Sequence, residues 1–389
     1  MSIKKKERIL LVTPGYPSPD NLYNHSFVHQ RVLGYKEEGL LVEVFSVPGS
    51  PYKKNMETPK VRKYQIDDVE VLEGTHGNLK DHLRKNVYDK ILIHFAWKNI
   101  MEIVLPESVG TPLLIWVHGV EALSWKRRLF NLTPDVKEVV KFLGYIPFNI
   151  QQLRFVRGLI EKKDRRITFI FVSHWMKDIL EKDTKTKVES FQIIPNVINE
   201  NLFSYEKKEE DQRYHIFNVR PYHSKKYAND LMVETILKLK DSPEFSKLQF
   251  HLYGAGRLFE KTVRRIKDLP NVHLENRMLP QKEMAKIHKK CGILLMPTRQ
   301  DAQGVSMCEA MSSGLVPVVS KNTAIPEFVP ENAGYLCENP EEMANAIQEL
   351  VELEDVFLRK SEAASVLIQQ KCGTKTVLLQ EIHLIQGNR

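Results

Sequence analysis

The chain opens with a short apolar run, Ile9-Leu-Leu-Val12, that breaks at Pro14, Gly15 and Pro17. A continuous apolar run bounded by turn residues reads as a buried parallel strand entering a loop. From His29 to Gly39 apolar side chains recur at Val32, Leu33 and Tyr35, and Gly39 suits a helix C-terminal cap ahead of a second strand, Leu41–Val47. That is one βαβ unit. Further strands predicted at Lys90–Phe95, Leu113–Val117, Thr168–Ser173 and Phe191–Ile194 alternate with helical segments, the pattern of a doubly wound sheet. The polar, acidic run Tyr205–Arg213 interrupts this pattern and reads as a linker. A second βα series then begins, with strands expected at Tyr214–Val219, Gln249–Tyr253, Val272–Leu274, Gly292–Pro297 and Val316–Ser320, and a long helical tail from Pro340. No solenoid repeat or low-complexity tract interrupts the reading.

Composition is consistent with this organisation. A chain of 389 residues exceeds the size at which one core keeps growing, so two domains of roughly 200 residues are expected. The four cysteines, Cys291, Cys308, Cys337 and Cys372, form no CxxC pair and no metal-type spacing, and read as reduced core residues. Lys4, Lys5, Lys6 and Arg8 precede an apolar run far too short for a signal-peptide core, and no stretch approaches the roughly 20 apolar residues of a membrane span. A cytoplasmic protein is expected, with any membrane contact peripheral.

The net charge of +8 is unevenly placed. Residues 125–166 carry 11 basic and four acidic side chains, a surplus of seven. They interleave with Trp125, Leu129, Phe130, Phe142, Leu143, Tyr145, Phe148, Leu153 and Phe155. Such a stretch suits the surface of an anionic membrane near a lipid-linked acceptor; a solvated helical pair burying an apolar stripe has the same composition. Nucleic acid is not expected as a partner, because no binding motif accompanies the charge.

Ligands of open α/β sheets sit at the carboxyl ends of the strands, which singles out three loops. The first, Arg220-Pro-Tyr-His-Ser-Lys225-Lys226, places cations where they suit a diphosphate, although a solvated basic loop looks the same on spacing alone. In the second, Gly254-Ala-Gly256 lets a backbone approach a ligand closely, or makes a plain turn. The third runs from Pro297 through Asp301, Gln303, Gly304, Val305 and Ser306 to Glu309, and on to Gly314 and a strand. A helix opening near Gly304 aims free N–H groups at a phosphate. Ser306-Met-Cys-Glu309 also fits a capping box, and spacing does not separate these readings.

Asp301-x7-Glu309, followed by Ala-Met-Ser-Ser-Gly-Leu-Val-Pro-Val-Val, resembles the E-x7-E signature of the retaining GT-B glycosyltransferases of family GT4, the glycosyl transferases group 1. Arg220 and Lys225 resemble that family's phosphate loop, Gly254 and Gly256 its Gly-x-Gly, and Trp116-Val-His118-Gly119-Val-Glu121 its His-Gly loop. Val172-Ser173 and the Ile194-Pro-Asn-Val197…Phe203 segment also resemble the family. The resemblance implies an α/β GT-B fold: Rossmann-like doubly wound domains over 1–204 and 205–372 facing across a cleft, with a helix over 373–389 packing back on the first.

It further implies that Glu309 holds the ribose hydroxyls, Arg220 and Lys225 the diphosphate, and Arg277, Met278 and Leu279 the base. Asp301 and His118 would face the donor sugar, and Gln303, Gly304, Val305 and Ser306 would line the donor. A buried strand-end histidine is the alternative for His118. The implied reaction is transfer of a sugar from a nucleotide-diphosphate sugar, UDP by default, to a hydroxyl of a glycan, a lipid-linked acceptor or a cell-surface polymer, with retention of configuration. No cofactor is expected. No metal is expected either, since there is no Asp-x-Asp triplet, and protein cations would stabilise the leaving phosphate. The chain departs from the family pattern at Asp301, usually Glu, at Lys226, usually Gly, and in Pro17–Asn24, which lacks a Gly-Gly pair. A nucleotide-sugar epimerase or phosphorylase on the same architecture, and a non-catalytic sugar-nucleotide-binding subunit, are the competing readings.

Overall fold

The computed structural model describes residues 7–22, 24–132 and 136–387. Lys4, Lys5, Lys6, Tyr23 and Asp135 therefore lie outside the described residues. The chain forms two compact units, Met1–Val197 with Val377–Arg389, and Ile198–Thr376.

The first unit runs β1 (Arg8–Thr13), α1 (Ser26–Glu37), β2 (Leu41–Ser46), β3 (Arg62–Ile66), β4 (Val69–Glu73), α2 (His76–Lys85), β5 (Lys90–His94), α3 (Lys98–Glu107), β6 (Leu113–Val117), α4 (Val136–Glu161), β7 (Ile167–Phe171), α5 (His174–Thr184) and β8 (Phe191–Ile193). Its sheet order is β3-β4-β2-β1-β5-β6-β7-β8. All neighbours are parallel except the edge pair β3–β4. The central strands carry continuous apolar runs because helices cover both faces of a parallel sheet: every residue of β6 is apolar and buried.

The β3–β4 hairpin is absent from the pattern-based reading, and its turn explains why. Asp67 and Asp68 both adopt positive φ, 44° and 62°, as a two-residue turn of this kind requires. That turn is usually marked by Asn-Gly or Asp-Gly, and here neither position is glycine.

The second unit runs β9 (His215–Val219), α6 (Asn229–Leu239), β10 (Gln249–Tyr253), α7 (Phe259–Val263), β11 (Val272–Glu275), α8 (Gln281–His288), β12 (Ile293–Met296), α9 (Val305–Ser312), β13 (Val316–Ser320), β14 (Tyr335–Cys337), α10 (Pro340–Glu352) and α11 (Glu354–Cys372), and the chain ends in α12 (Thr374–Gln386). The sheet order β11-β10-β9-β12-β13-β14 is parallel throughout. The tail expected from Pro340 is three helices. The first starts where Asn339 caps it by accepting from the Glu342 N–H, with Pro340 at the first helical position.

The division between units falls at Val197/Ile198 and not at 204/205. The acidic run read as a linker belongs to the second unit: Glu210–Tyr214 is a 3-10 turn leading into β9. Its hydrogen bonds explain this placement, since Gln212 Nε2 donates to the Lys289 carbonyl and the buried Lys208 donates to the His288 carbonyl at 2.7 Å.

Most of α12 belongs to the first unit, where Val377, Leu378, Ile382 and Ile385 join the core of α1 and β1. Glu381 is fully buried there and accepts from Arg31 Nε (2.8 Å), Tyr35 Oη (2.6 Å) and Trp116 Nε1 (3.2 Å). A buried carboxylate is tolerated only with such partners, so two side chains of α1 and one of β6 fix where this helix lies. No described helix is long and apolar enough to cross a membrane.

Candidate functional site

In the second unit β9 lies between β10 and β12, so the winding direction reverses at β9 and a crevice opens at the carboxyl ends of β9 and β12. Arg220 follows β9 directly and is almost wholly buried. Its guanidinium lies over the Tyr227 ring at 5.0 Å, and Nη2 meets Asp301 Oδ2 at 3.3 Å. Its Nε is buried with no acceptor. A buried guanidinium with one long hydrogen bond has donor capacity left for a planar anion.

Asp301 enters from the loop after β12. Its Oδ1 accepts from the Gly304 N–H (2.8 Å) and the Gln303 N–H (3.3 Å), so this carboxylate ties down the turn that leads into α9. Gly304 stands at the cap position with φ 80°, in the left-handed region that glycine adopts without strain. Burial opposes ionisation of Asp301. Arg220, Lys226 and the two N–H groups outweigh it and hold the carboxyl below its usual range. Both Asp301 oxygens are thus engaged within the protein.

Glu309 lies inside α9, in its second turn, and makes no capping box: the helix begins at Val305 and the cap has no side-chain hydrogen bond. Ser306 instead directs its hydroxyl to Met296 Sδ at 3.5 Å. Among the described residues the Glu309 carboxylate accepts one hydrogen bond, from Gln281 Nε2 at 2.9 Å. Burial pushes its pKa up to about 8 against the lowering effect of that bond. A buried carboxyl with one partner retains acceptor capacity for incoming hydroxyls.

The remaining positions divide by what they touch. Lys225 is exposed in the 3-10 turn Lys225–Tyr227. Gln303 turns its amide inward, towards Cys308 Sγ (3.9 Å) and Cys372 Sγ (3.7 Å), so its side chain serves the core. Val305 is half-buried at the helix start. Arg277 is exposed and grips Glu275 and Glu283, Met278 is exposed, and Leu279 is buried.

Gly254 and Gly256 have φ of 152° and 147°, and a Cβ on them would lie 1.9 Å from the Arg220 carbonyl oxygen and 2.4 Å from the Tyr222 carbonyl carbon. These glycines are needed because the two loops cross in contact, with Tyr222 N–H donating to the Ala255 carbonyl at 2.8 Å. Gly254→Ala is expected to destabilise the second unit by about 1–3 kcal/mol and to weaken nucleotide binding. Urea unfolding and calorimetry on one preparation read both effects.

In the first unit His118 follows β6. Its Nε2 lies 3.0 Å from His94 Nδ1, and its ring packs against Phe27 and Phe95. Burial, then Arg31 and His25, lower its pKa well below the usual value, so its ring is neutral at neutral pH. The loop around it is held by the buried Glu121, which accepts from the His118 N–H (2.7 Å) and Gly119 N–H (3.0 Å). Ser173 caps α5, accepting from the Met176 N–H at 3.1 Å.

Gln281, Tyr227 and His94 act on the candidate residues without having drawn attention in the sequence. Gln281 and His94 act through contacts 28 and 24 positions away along the chain, which no local signal marks, and Tyr227 lies just beyond the basic loop it supports. Among the described residues no group of three or more His, Cys, Asp or Glu is placed to hold a metal ion.

Residues 213–353, which hold the candidate positions of the second unit, match the model of the glycosyl transferases group 1 domain. The architecture, two Rossmann-like units on parallel sheets, is that of GT-B glycosyltransferase structures. Sucrose-phosphate synthase from Thermosynechococcus elongatus superposes with a TM-score of 0.73 at 15% identity, over 98% of this chain and 99% of that one. Anabaena HepE, in complex with UDP and glucose, gives 0.68 at 15% identity over 98% and 100%. The E. coli trehalose-6-phosphate protein bound with UDP-2-fluoro glucose gives 0.69 at 12% identity over 97% and 99%. At such identities the likeness establishes the fold. No curated protein sequence matches the chain.

Proposed function

We propose that this protein is a retaining glycosyltransferase of the GT4 kind that moves a sugar from a nucleotide-diphosphate sugar, UDP in the first instance, to an acceptor hydroxyl. The observation that carries the reading is the pairing of two incomplete partners at one switch point. Arg220 is a buried fork with an unsatisfied Nε, and Glu309 is a buried carboxyl with one hydrogen bond. The first suits a diphosphate and the second the ribose hydroxyls of the same nucleotide. The group 1 match over 213–353 and the UDP in the HepE complex support it.

In this mechanism Arg220, Lys225 and the α9 N-terminus stabilise charge growing on the departing phosphate, so the reaction runs without a metal. The leaving phosphate takes the acceptor proton on the same face, and neither Asp301 nor Glu309 is a nucleophile. Backbone at Arg277–Leu279 meets the base, and Asp301 lies towards the sugar. The acceptor is a glycan, a lipid-linked sugar or a cell-surface polymer, met at the cytoplasmic face of an anionic membrane through the 125–166 segment.

A panel of nucleotide sugars, assayed by NMR with and without acceptors, tests the reading. Acceptor-dependent product of retained anomeric configuration is expected. Inverted product overturns the mechanism. A new sugar nucleotide formed without acceptor points to an epimerase, and nucleotide binding with no turnover of any donor points to a binding subunit.

A further inference from the structure

The basic segment 125–166 is two different structures. From Asn149 onward α4 is anchored: Asn149, Gln152, Val156, Leu159 and Ile160 are buried, and Gln152 Nε2 donates to the Ala96 and Glu121 carbonyls. Much of the positive charge outside that face is matched locally, Arg127 by Asp183, Arg157 by Glu161, Lys163 by Glu189 and Arg166 by Asp164.

The first half of α4, 136–148, buries no residue at all. One side of it is covered by the 3-10 turn Trp125–Asn131 and by Tyr52. Trp125 packs on Phe142, Arg128 lies over Tyr145 at 5.2 Å, and Tyr52 packs on Phe148 at 3.8 Å.

The other side is a bare apolar stripe. Val136, Val140, Leu143 and Pro147 follow one another at intervals of four, three and four, which places them on one face of the helix, and all are exposed. Val136 is 74% and Val140 62% exposed. Lys137 and Lys141 follow the first two, about a quarter-turn round the helix. Leu129 and Leu132, at 48% and 39% exposed, and the exposed Lys126 lie on or beside the turn that covers the opposite side. Glu138 is the one acidic residue among the described residues of 125–148.

We infer that this half-helix forms a membrane-docking surface that lays Val136, Val140 and Leu143 into the interface of an anionic bilayer, with Lys137 and Lys141 at headgroup level. Isolated exposed leucines need no explanation, but a continuous apolar stripe that no described residue buries, bordered by cations, has the form of an interfacial helix. Charge complementarity selects lipid over a second copy of this chain, since two such surfaces brought together would place like charges side by side. The inference rests on the proposed function for its purpose, bringing a lipid-anchored acceptor to the enzyme, and on the surface alone for its existence.

Flotation of the full chain with vesicles of phosphatidylcholine containing about a third phosphatidylglycerol tests it. Binding at least tenfold tighter than to pure phosphatidylcholine is expected. Val140→Glu with Leu143→Glu removes it, and Lys137→Glu with Lys141→Glu removes the preference for phosphatidylglycerol. Binding that ignores lipid charge, or survives both pairs, overturns the inference. So does a concentration-dependent dimer that the Val140→Glu, Leu143→Glu pair dissolves, because the stripe then meets a second copy. UDP binding measured on the same variants separates the two questions. Lost flotation with UDP bound normally is the expected pattern, and no UDP binding even in the parent protein sinks the glycosyltransferase reading and leaves the surface standing.

Discussion

Glu309→Ala is expected to lower donor turnover by about a thousandfold while the protein remains folded. Each hydrogen bond from a hydroxyl to a charged group contributes about 1.5–3 kcal/mol, and two ribose hydroxyls on one carboxylate therefore bring about 4 kcal/mol at a pH above about 8, where Glu309 is ionised. Isothermal calorimetry with UDP, donor hydrolysis and a melting curve on one preparation check it, and unchanged UDP affinity removes Glu309 from the site.

The same residue sets a pH dependence. Burial raises its pKa to about 8 in the folded chain, whereas in the unfolded chain it titrates near its ordinary value. Between those values the folded state keeps a proton that the unfolded state has lost. Its contribution to stability is therefore complete below the unfolded pKa and disappears as pH rises through about 8. Ribose hydroxyls donate to the ionised form, so UDP affinity should rise over the same interval, by up to about tenfold per pH unit. Glu309→Gln, which keeps the Gln281 neighbour but cannot ionise, should flatten both profiles. A wild-type UDP affinity that falls over this interval contradicts the assignment.

Glu309 also shows where the sequence is legible. The strands at its flanks are fully buried and largely apolar, so β12 and β13 stand out as runs, as do β1, β5, β6 and β9. The hairpin β3–β4 does not. It is an edge with exposed positions, turned by two aspartates with positive φ that no glycine announces. β14 is three residues long and escapes any periodicity. Whether Glu309 caps its helix turned on the residue where α9 starts, and that is fixed by Asp301 accepting from the Gly304 N–H. Spacing alone carried both registers, and the hydrogen bond selects one. Gln281 was invisible for a related reason: it reaches Glu309 across 28 positions of chain.

Arg220 and Asp301 should separate when each is changed. Arg220→Ala removes the buried fork and is expected to lower turnover by about a hundred- to a thousandfold, the usual loss when one preorganised donor at a developing charge is deleted. Arg220→Lys should recover little of it, since a point charge does not reproduce two planar N–H groups above the Tyr227 ring. Asp301→Asn keeps an oxygen for the Gly304 and Gln303 N–H groups, because asparagine makes the same side-chain-to-backbone turn as aspartate. The turn survives and the negative charge beside Arg220 is lost, so the affinity for UDP should hold or rise. Asp301→Ala loses the turn as well, at about 1 kcal/mol of stability for the lost hydrogen bonding, and α9, which carries Glu309, loses its fixed start. Turnover should then fall in the order Asn, Ala, with Arg220→Ala below both. If Asp301→Asn instead costs as much as Arg220→Ala while UDP still binds normally, the carboxylate acts on the sugar itself, and its present hold on Arg220 is a resting contact that the donor displaces.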